Sequence, residues 1–443
     1  MRKGAAADFT GLEGLRVLIA LSGGADSVAL AVLLVEAREA LGMTLFAAHL
    51  DHAIRPESAD DAAFCRALCR RLGIPFYTAR VDVPAEAART GEGLETAARR
   101  VRHQWLRQVK DQVGADVIAL AHHMDDQAET VLMHLARGAG PEGVVGMRKR
   151  QGDLARPLLG LRKRELVACL RARGLAWRED ATNAIDDTPR NALRLHGIPE
   201  LEKSYPQLVP AIARYAEAAR IESDYLALLT DDWLATNRRS GPYGEYLPLE
   251  PMPPRAILRR AIRRLCGPEL DREKLVALEA LCEGARGRLE IFGGLAAERG
   301  HRGLYFLQSR PAPNAEIPLA IPGEAALDGL CAVAAEHAPV APVRDDPMTQ
   351  VLDADALRDA VIRTRRDGDR IRPLGCGEKL LSDYLTDRKV DRPLRDCLAL
   401  VAKGRDVLWV CGLGIAEGAR LTARTQRAVR LEIQYSFDIS MLY

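Results

Sequence analysis

Between residues 16 and about 137 the sequence keeps returning to one unit, a short apolar run followed by a longer stretch with helical spacing. RVLIAL (16–21), LFAAHL (45–50), PFYTARV (75–81) and VIALAH (117–122) have the length and composition of buried strands. Residues 27–41 and 94–113 place apolar side chains at helical intervals, Gly42 and Gly73 close two of the helices, and a further helix runs to about Arg137. Parallel strands need a helix-sized crossover, and strands apolar on both faces need cover on both. The pattern predicts an α/β fold, a doubly wound, Rossmann-like parallel sheet. Such sheets bind ligands at the carboxyl ends of their strands, so the chemistry is sought there.

The first strand ends in Ser22-Gly23-Gly24-Ala25-Asp26-Ser27, and a helix starts at once. The first N–H groups of a helix lack intrahelical partners, and the helix dipole favours an anion beside them. Two glycines let the backbone approach an oxygen cluster closely, and Ser22 and Ser27 add hydroxyls. Asp26 is a candidate Mg²⁺ ligand. The motif is a phosphate cradle without the lysine of G-x-x-x-x-G-K-[ST], and composition alone equally allows a tight turn with a serine cap.

Three more groups fall at the same sheet edge. HHMDDQAET (122–130) follows the fourth strand, and on a helix His122, Asp126 and Glu129 stand at i, i+4 and i+7, on one face. HLDHAIRPES (49–58) brings His49, Asp51 and His52 to the end of the second strand, and ETAARRVRHQWL (95–106) brings Arg99 and Arg102 nearby. Ionisable groups that converge beside a phosphate cradle are candidates for catalysis.

Beyond Pro199 the pattern changes. Residues 1–200 are expected to form the catalytic domain, 201–310 a mainly helical domain, 311–340 a linker and 341–443 a small α+β domain. The linker reading rests on the Pro- and Ala-rich SRPAPNAEIPLAIPGE (309–324). No stretch approaches the roughly 18 consecutive apolar residues of a membrane span, so no membrane partner is expected. The start lacks a signal-peptide core, which predicts a cytoplasmic protein. Nine cysteines never form C-x-x-C and read as reduced thiols rather than metal ligands. Of 63 basic residues only nine are lysine, and arginines cluster at 147–157, 161–165, 257–265 and 363–372. One such cluster reads as a solvated face, whereas four together point to a polyanionic partner.

SGGADS resembles the PP-loop of the N-type ATP pyrophosphatases. Together with DHAIRPES, AARRVRH, HHMDDQAET, RPLL (156–159), WREDATN (177–183) and RNALR (190–194), it resembles the tRNA(Ile)-lysidine synthetase family. RDGDRIRPLG (366–375) and KLLSDYLTDRKV (379–390) resemble that family's terminal domain. The resemblance implies conversion of the wobble cytidine of a CAU-anticodon tRNA(Ile) into lysidine. ATP would adenylate the C2 oxygen with loss of pyrophosphate, and L-lysine would then displace AMP. It implies ATP held by Ser22, Gly23, Gly24, Ala25, Asp26, Ser27 and His49, Mg²⁺ on Asp26, and Arg99 beside the α-phosphate. Lysine is expected at His122, Asp126 and Glu129, with Asp26, Arg99, His122, Asp126 and Glu129 as the catalytic set. The Arg-rich regions would grip the tRNA, and a homodimer stays open. A PP-loop tRNA thiolase and a non-catalytic ATP- and tRNA-binding protein are the alternatives; the first would need paired cysteines. Two departures stand out: His103 where the family often has Tyr, and VDRPLRD (390–396), whose proline comes two positions late.

Overall fold

The computed structural model describes residues 7–53, 58–178, 188–241, 244–284, 287–308, 315–327, 329–341 and 346–439. Parts of three stretches named above, 54–57 of DHAIRPES, 179–183 of WREDATN and 309–314 of the Pro-rich run, lie outside the described residues. The chain forms two compact units, Met1–Asp224 and Tyr225–Tyr443.

The first unit opens with β1 (Arg16–Ala20), α1 (Ala25–Ala37), β2 (Thr44–Asp51), α2 (Ser58–Leu72) and β3 (Phe76–Arg80). It continues with α3 (Val83–Thr90), α4 (Leu94–Val113), β4 (Val117–Ala119) and α5 (Met124–Ala136). Next come β5 (Arg150–Gln151), β6 (Leu154–Ala155), α6 (Lys163–Ala172) and α7 (Pro189–Ala192), which runs on as a π turn over Leu193–Gly197. Last are α8 (Ile198–Ser204) and α9 (Leu208–Asn237). The strands are ordered β3-β2-β1-β4-β6-β5, parallel except for β5. Alternate residues explain why helices cover both faces. Val17, Ile19, Leu45, Ala47, Val117 and Ala119 enter one core with α1 and α6. Leu18, Phe46, Ala48 and Ile118 enter the other with Leu106 and Val109 of α4. Each central strand is apolar on both sides, so burial requires two helical layers.

In the second unit β7 (Arg239–Gly241), β8 (Gly244–Pro248), β9 (Arg288–Phe292), β10 (Leu295–Arg299) and β11 (Gly303–Leu307) form an antiparallel sheet ordered β7-β8-β11-β10-β9. Helices α10 (Arg255–Cys266) and α11 (Arg272–Cys282) bury Leu258, Ala261, Ile262, Leu275 and Leu278 against it. The middle region is thus helical with a sheet of its own. The rest is mostly strand. A four-stranded sheet joins β13 (Gly323–Leu327), β14 (Cys331–Ala338), β15 (Thr349–Asp353) and β22 (Ala428–Tyr435). A seven-stranded one joins β12 (Ile317–Pro318), β16 (Val361–Arg363), β17 (Arg370–Ile371), β18 (Lys379–Leu380), β19 (Leu400–Lys403), β20 (Asp406–Val410) and β21 (Gly414–Ile415). Two short helices, α12 (Leu381–Asp387) and α13 (Arg392–Arg395), complete it.

The expected linker at 311–340 is corrected by β12, β13 and β14. Ala325, Leu327, Cys331, Val333 and Ala335 are buried in the terminal core. Their period of two identifies strands, but GEAAL and CAVAAEHA are rich in alanine on both faces, and its small side chain gives a weak strand signal. All nine cysteines are free thiols, seven of them buried. Among the described residues no helix is long and apolar enough to cross a membrane.

Candidate active site

The loop between β1 and α1 is shaped by Gly23 and Ser27. Gly23 adopts φ +90°, which side chains disfavour, and a Cβ there would stand 3.3 Å from Cys65 Sγ. The buried Ser27 hydroxyl accepts from the N–H groups of Ser22 (3.2 Å) and Gly23 (3.1 Å) and donates to the Gly24 carbonyl (3.0 Å). One side chain therefore folds the loop back on the helix. The Arg178 N–H, first of the residues after Trp177, braces it by donating to the Gly23 carbonyl (2.9 Å). Gly24 precedes α1 without a side-chain cap, which leaves the N–H groups of the first turn facing outward. His49 Nδ1–H donates to the Leu21 carbonyl (2.9 Å), and its buried Nε2 has no partner among the described residues. Burial holds His49 below its ordinary value.

Opposite the loop stands α5, and here the expected helix face is corrected. The helix starts at Met124, so His122 lies before it and shares no helical face with Asp126 and Glu129. His123 is the N-cap: Asp126 Oδ2 accepts from its N–H (3.0 Å), while its Nδ1 accepts a long 3.4 Å bond from the Asp126 amide. Its Nε2 lies 3.5 Å from both Asp26 and Asp126, and its Nδ1 3.6 Å from Asp125. Burial alone would lower His123, but Asp26, Asp126 and Asp125 together raise it. Protonation exchanges the long amide bond for an ion contact with Asp125. Asp26 shows the mirror effect: burial would raise its carboxyl, yet His123, Lys163 and Arg194 hold it below the usual value.

The two carboxylates expected to meet lysine already have cationic partners. Arg190 Nε donates to Glu129 Oε2 (2.8 Å) and its Nη2 to Asp126 Oδ1 (3.3 Å). Arg194 reaches Glu129 Oε1 (2.6 Å), Glu129 Oε2 (2.8 Å) and Asp126 Oδ1 (3.1 Å). Glu129 is almost fully buried, and these forks pair both of its oxygens with guanidinium groups. The sequence offered RNALR only as part of a family likeness; the 60-residue separation hid the pairing.

The other side of the site is cationic and unpaired. Arg102 Nε and Arg156 Nε are buried without partners among the described residues. Burial, with Arg99 beside them, pushes both guanidinium groups below their ordinary value. Arg99 itself is exposed at the edge of this cluster. His52, His103 and His122 are pushed down to about 4, first by burial and then by the arginines: Arg102 acts on all three, and at His122 Arg156 acts ahead of it. His122 also feels Asp126, so it marks the seam between the two halves. A cation cluster whose arginines pair with no carboxylate among the described residues, and whose histidines are neutral, suits an anion. Lys163 completes the picture. It opens α6, and its Nζ lies 3.9 Å from Asp26 Oδ2, supplying by tertiary proximity the lysine missing from the loop motif.

Asp26 Oδ1 is buried and has no hydrogen-bond partner among the described residues. Those residues contain no group of three or more His, Cys, Asp or Glu able to hold a metal. A single orphaned carboxylate oxygen fits Mg²⁺, which takes one or two protein carboxylates and fills its shell with phosphate and water. It does not fit a cysteine- or histidine-rich metal centre.

Residues 5–201 match the PP-loop domain model, and residues 360–433 match the TilS substrate C-terminal domain model. The chain is 39% identical over 400 residues to a tRNA(Ile)-lysidine synthase of Thermus thermophilus, covering 90% of this chain and 69% of the relative. It is 34% identical to that of Geobacter sulfurreducens, covering 94% and 93%. To that of Symbiobacterium thermophilum it is 37% identical, covering 95% and 94%. Likeness at that level along nearly the whole of both chains, with the cradle and its facing helix in place, means that this chain belongs to the tRNA(Ile)-lysidine synthase family.

Proposed function

We propose that this chain joins L-lysine to C2 of the wobble cytidine in a CAU-anticodon tRNA(Ile), using ATP. The observation that carries the reading is the pairing of an outward-facing loop of N–H groups with two opposed charge clusters. In the first step the cytosine C2 oxygen attacks the α-phosphorus and pyrophosphate leaves. The N–H groups around Gly23, Gly24, Ala25 and Asp26, with Lys163, face the departing charge. Arg99, Arg102 and Arg156 offset the charge that builds at the α-phosphate. Mg²⁺, if held on Asp26 Oδ1, would supply Lewis-acid polarisation of the phosphates.

In the second step the lysine ε-nitrogen bonds to C2, the C2–O bond breaks, AMP leaves with that oxygen, and the amine loses a proton. Free lysine carries both signs. Asp126 and Glu129 suit its ammonium ends, and Arg190 and Arg194, already forked onto them, suit its carboxylate. The base must be splayed from its stack to reach the site. In the same reading the protein works in the cytoplasm, with residues 1–200 as the catalytic domain and the regions after 200 holding the tRNA.

The test is direct. Folded protein with ATP, Mg²⁺, radiolabelled lysine and unmodified tRNA(Ile) should label the tRNA and release one pyrophosphate and one AMP per lysine. Absence of label from folded protein overturns the proposal. Pyrophosphate release with no lysine transfer would favour another PP-loop acceptor chemistry.

A further inference from the structure

The VDRPLRD segment, where the sequence departs from the family pattern, builds one wall of a cavity of about 610 Å³ in the second unit. The opposite wall is the end of β10 and the turn into β11. Asp391 fixes the two walls together. Its Oδ1 accepts from the His301 N–H (2.6 Å) and its Oδ2 from the Tyr305 hydroxyl (2.9 Å). Gly300 is pressed so close that a Cβ would fall 2.2 Å from Asp391 Oδ2.

The lining is rich in guanidinium. Arg288, Arg299, Arg392 and Arg395 face the cavity, against the carboxylates of Glu298 and Asp391. Arg288 is tied to Glu290 (2.9 Å), and both Asp391 oxygens are engaged by the neutral donors above. Arg395 donates to neutral acceptors, the Val390 carbonyl (2.9 Å) and the Thr386 hydroxyl (3.1 Å). Arg299 Nη1 is buried with no hydrogen-bond partner among the described residues. A buried donor without an acceptor is costly, and with Arg288 matched by Glu290 the three other guanidinium groups still outnumber the two carboxylates by one.

We propose that this cavity is a second anion site, separate from the PP-loop, that takes a phosphate monoester. A monoester carries a charge of about −1.5 to −2 at neutral pH and three acceptor oxygens, one for each of Arg299, Arg392 and Arg395. A diester within an RNA backbone carries one charge and only two free acceptor oxygens, so it serves fewer of these guanidinium groups. The volume lies within the range of small-ligand sites, roughly 300–1,000 Å³, and accommodates a mononucleotide-sized group. Two sources offer this chemistry: a free nucleotide, or the phosphorylated 5′ end of an RNA.

Calorimetric titration of the full chain separates them. The probes are AMP and one minihelix RNA made with either a 5′-phosphate or a 5′-hydroxyl. AMP also suits the PP-loop, so the cavity's share is the binding kept in Asp26→Ala and weakened at least tenfold in Arg299→Met and Arg392→Met. That result assigns a free nucleotide. A tenfold preference for the 5′-phosphorylated minihelix, erased by the same two arginine variants, assigns an RNA end. Arg392 is exposed and its removal leaves the Asp391 bonds intact, so Arg392→Met is the decisive variant should Arg299→Met melt early. Binding of both probes unchanged within twofold in Arg392→Met overturns the proposal.

Discussion

The 99–103 segment of the first unit and the 363–372 segment of the second both carry crowded arginines, yet the fold treats them in opposite ways. Arg363 is fully buried, and a bidentate fork holds it to Asp369 (2.8 and 2.8 Å), with Thr364 and Gly404 carbonyls taking further Nη donors and Glu316 3.9 Å from its Nε. Its neighbours follow suit: Arg365 meets Asp396, Arg366 meets Glu316 and Arg370 meets Glu378. In the first unit Arg100 pairs with Glu86 and Glu92, but Arg102 and Arg156 have no carboxylate partner among the described residues and depress the histidines around them. The difference teaches what an arginine cluster means. Paired guanidinium groups hold a fold together, and unpaired ones wait for an anion. The other three clusters contain pairs of the same kind: Arg148 pairs with Asp224, Arg162 with Asp125 and Glu202, and Arg264 with Asp231. Far fewer arginines are free for a polyanion than the sequence suggested.

The sharpest way to break this comparison is Arg363→Met. Asp369 would be left charged in the core, at a cost of about 3–5 kcal/mol, read as a lower midpoint in chemical unfolding of the second unit. Survival of wild-type stability would show that the pair is dispensable. Arg102→Met is the counterpart. Removing an unpaired buried charge should leave the melting temperature unchanged or higher, while pyrophosphate release falls about 10²-fold, near 2.7 kcal/mol. A large stability loss with full activity would reverse the assignment of the two regions.

The smallest effect per side chain is the pH dependence of the first unit. His52, His103 and His122 sit near 4 in the folded state, below the 6.5 of an unperturbed imidazole. The unfolded chain therefore binds more protons between those values, and stability present above pH 6.5 drains as pH falls toward 4. His123, raised rather than lowered, works the other way, its contribution being full below 6.5 and lost on going alkaline. Each of the three should cost about 2 kcal/mol between pH 7 and 4.5, discounted for solvent screening at the half-buried His103 and less what His123 returns, read in thermal or urea unfolding. The slope should flatten in Arg102→Met, because the same arginine lowers all three histidines. An unchanged slope would mean that burial alone sets them.

Much of the first unit was legible because its signals are local. Strand and helix alternate at fixed period, and SGGADS needs only its own glycines and hydroxyls to make a bare helix start. The linker reading failed where alanine-built strands gave a weak pattern. The site was half legible. Asp26, Asp126, Glu129 and Arg99 stand at the sheet edge as expected, whereas His122 fell off the helix face because the cap moved one residue on, to His123. Lys163, Arg156, Arg190 and Arg194 could not be placed from spacing at all.

The physical reason lies in range. Backbone conformation and amphipathic burial are decided by neighbours within a few positions, so the sequence by itself determined the α/β sheet, the anion-binding turn and the family. Ion pairing depends on which charges meet after the chain has folded, and those partners lie 60 to 140 residues apart. Only the tertiary structure could decide that Glu129 is clamped by arginines, that Asp26 faces a lysine, and that the buried Arg102 Nε meets no partner among the described residues.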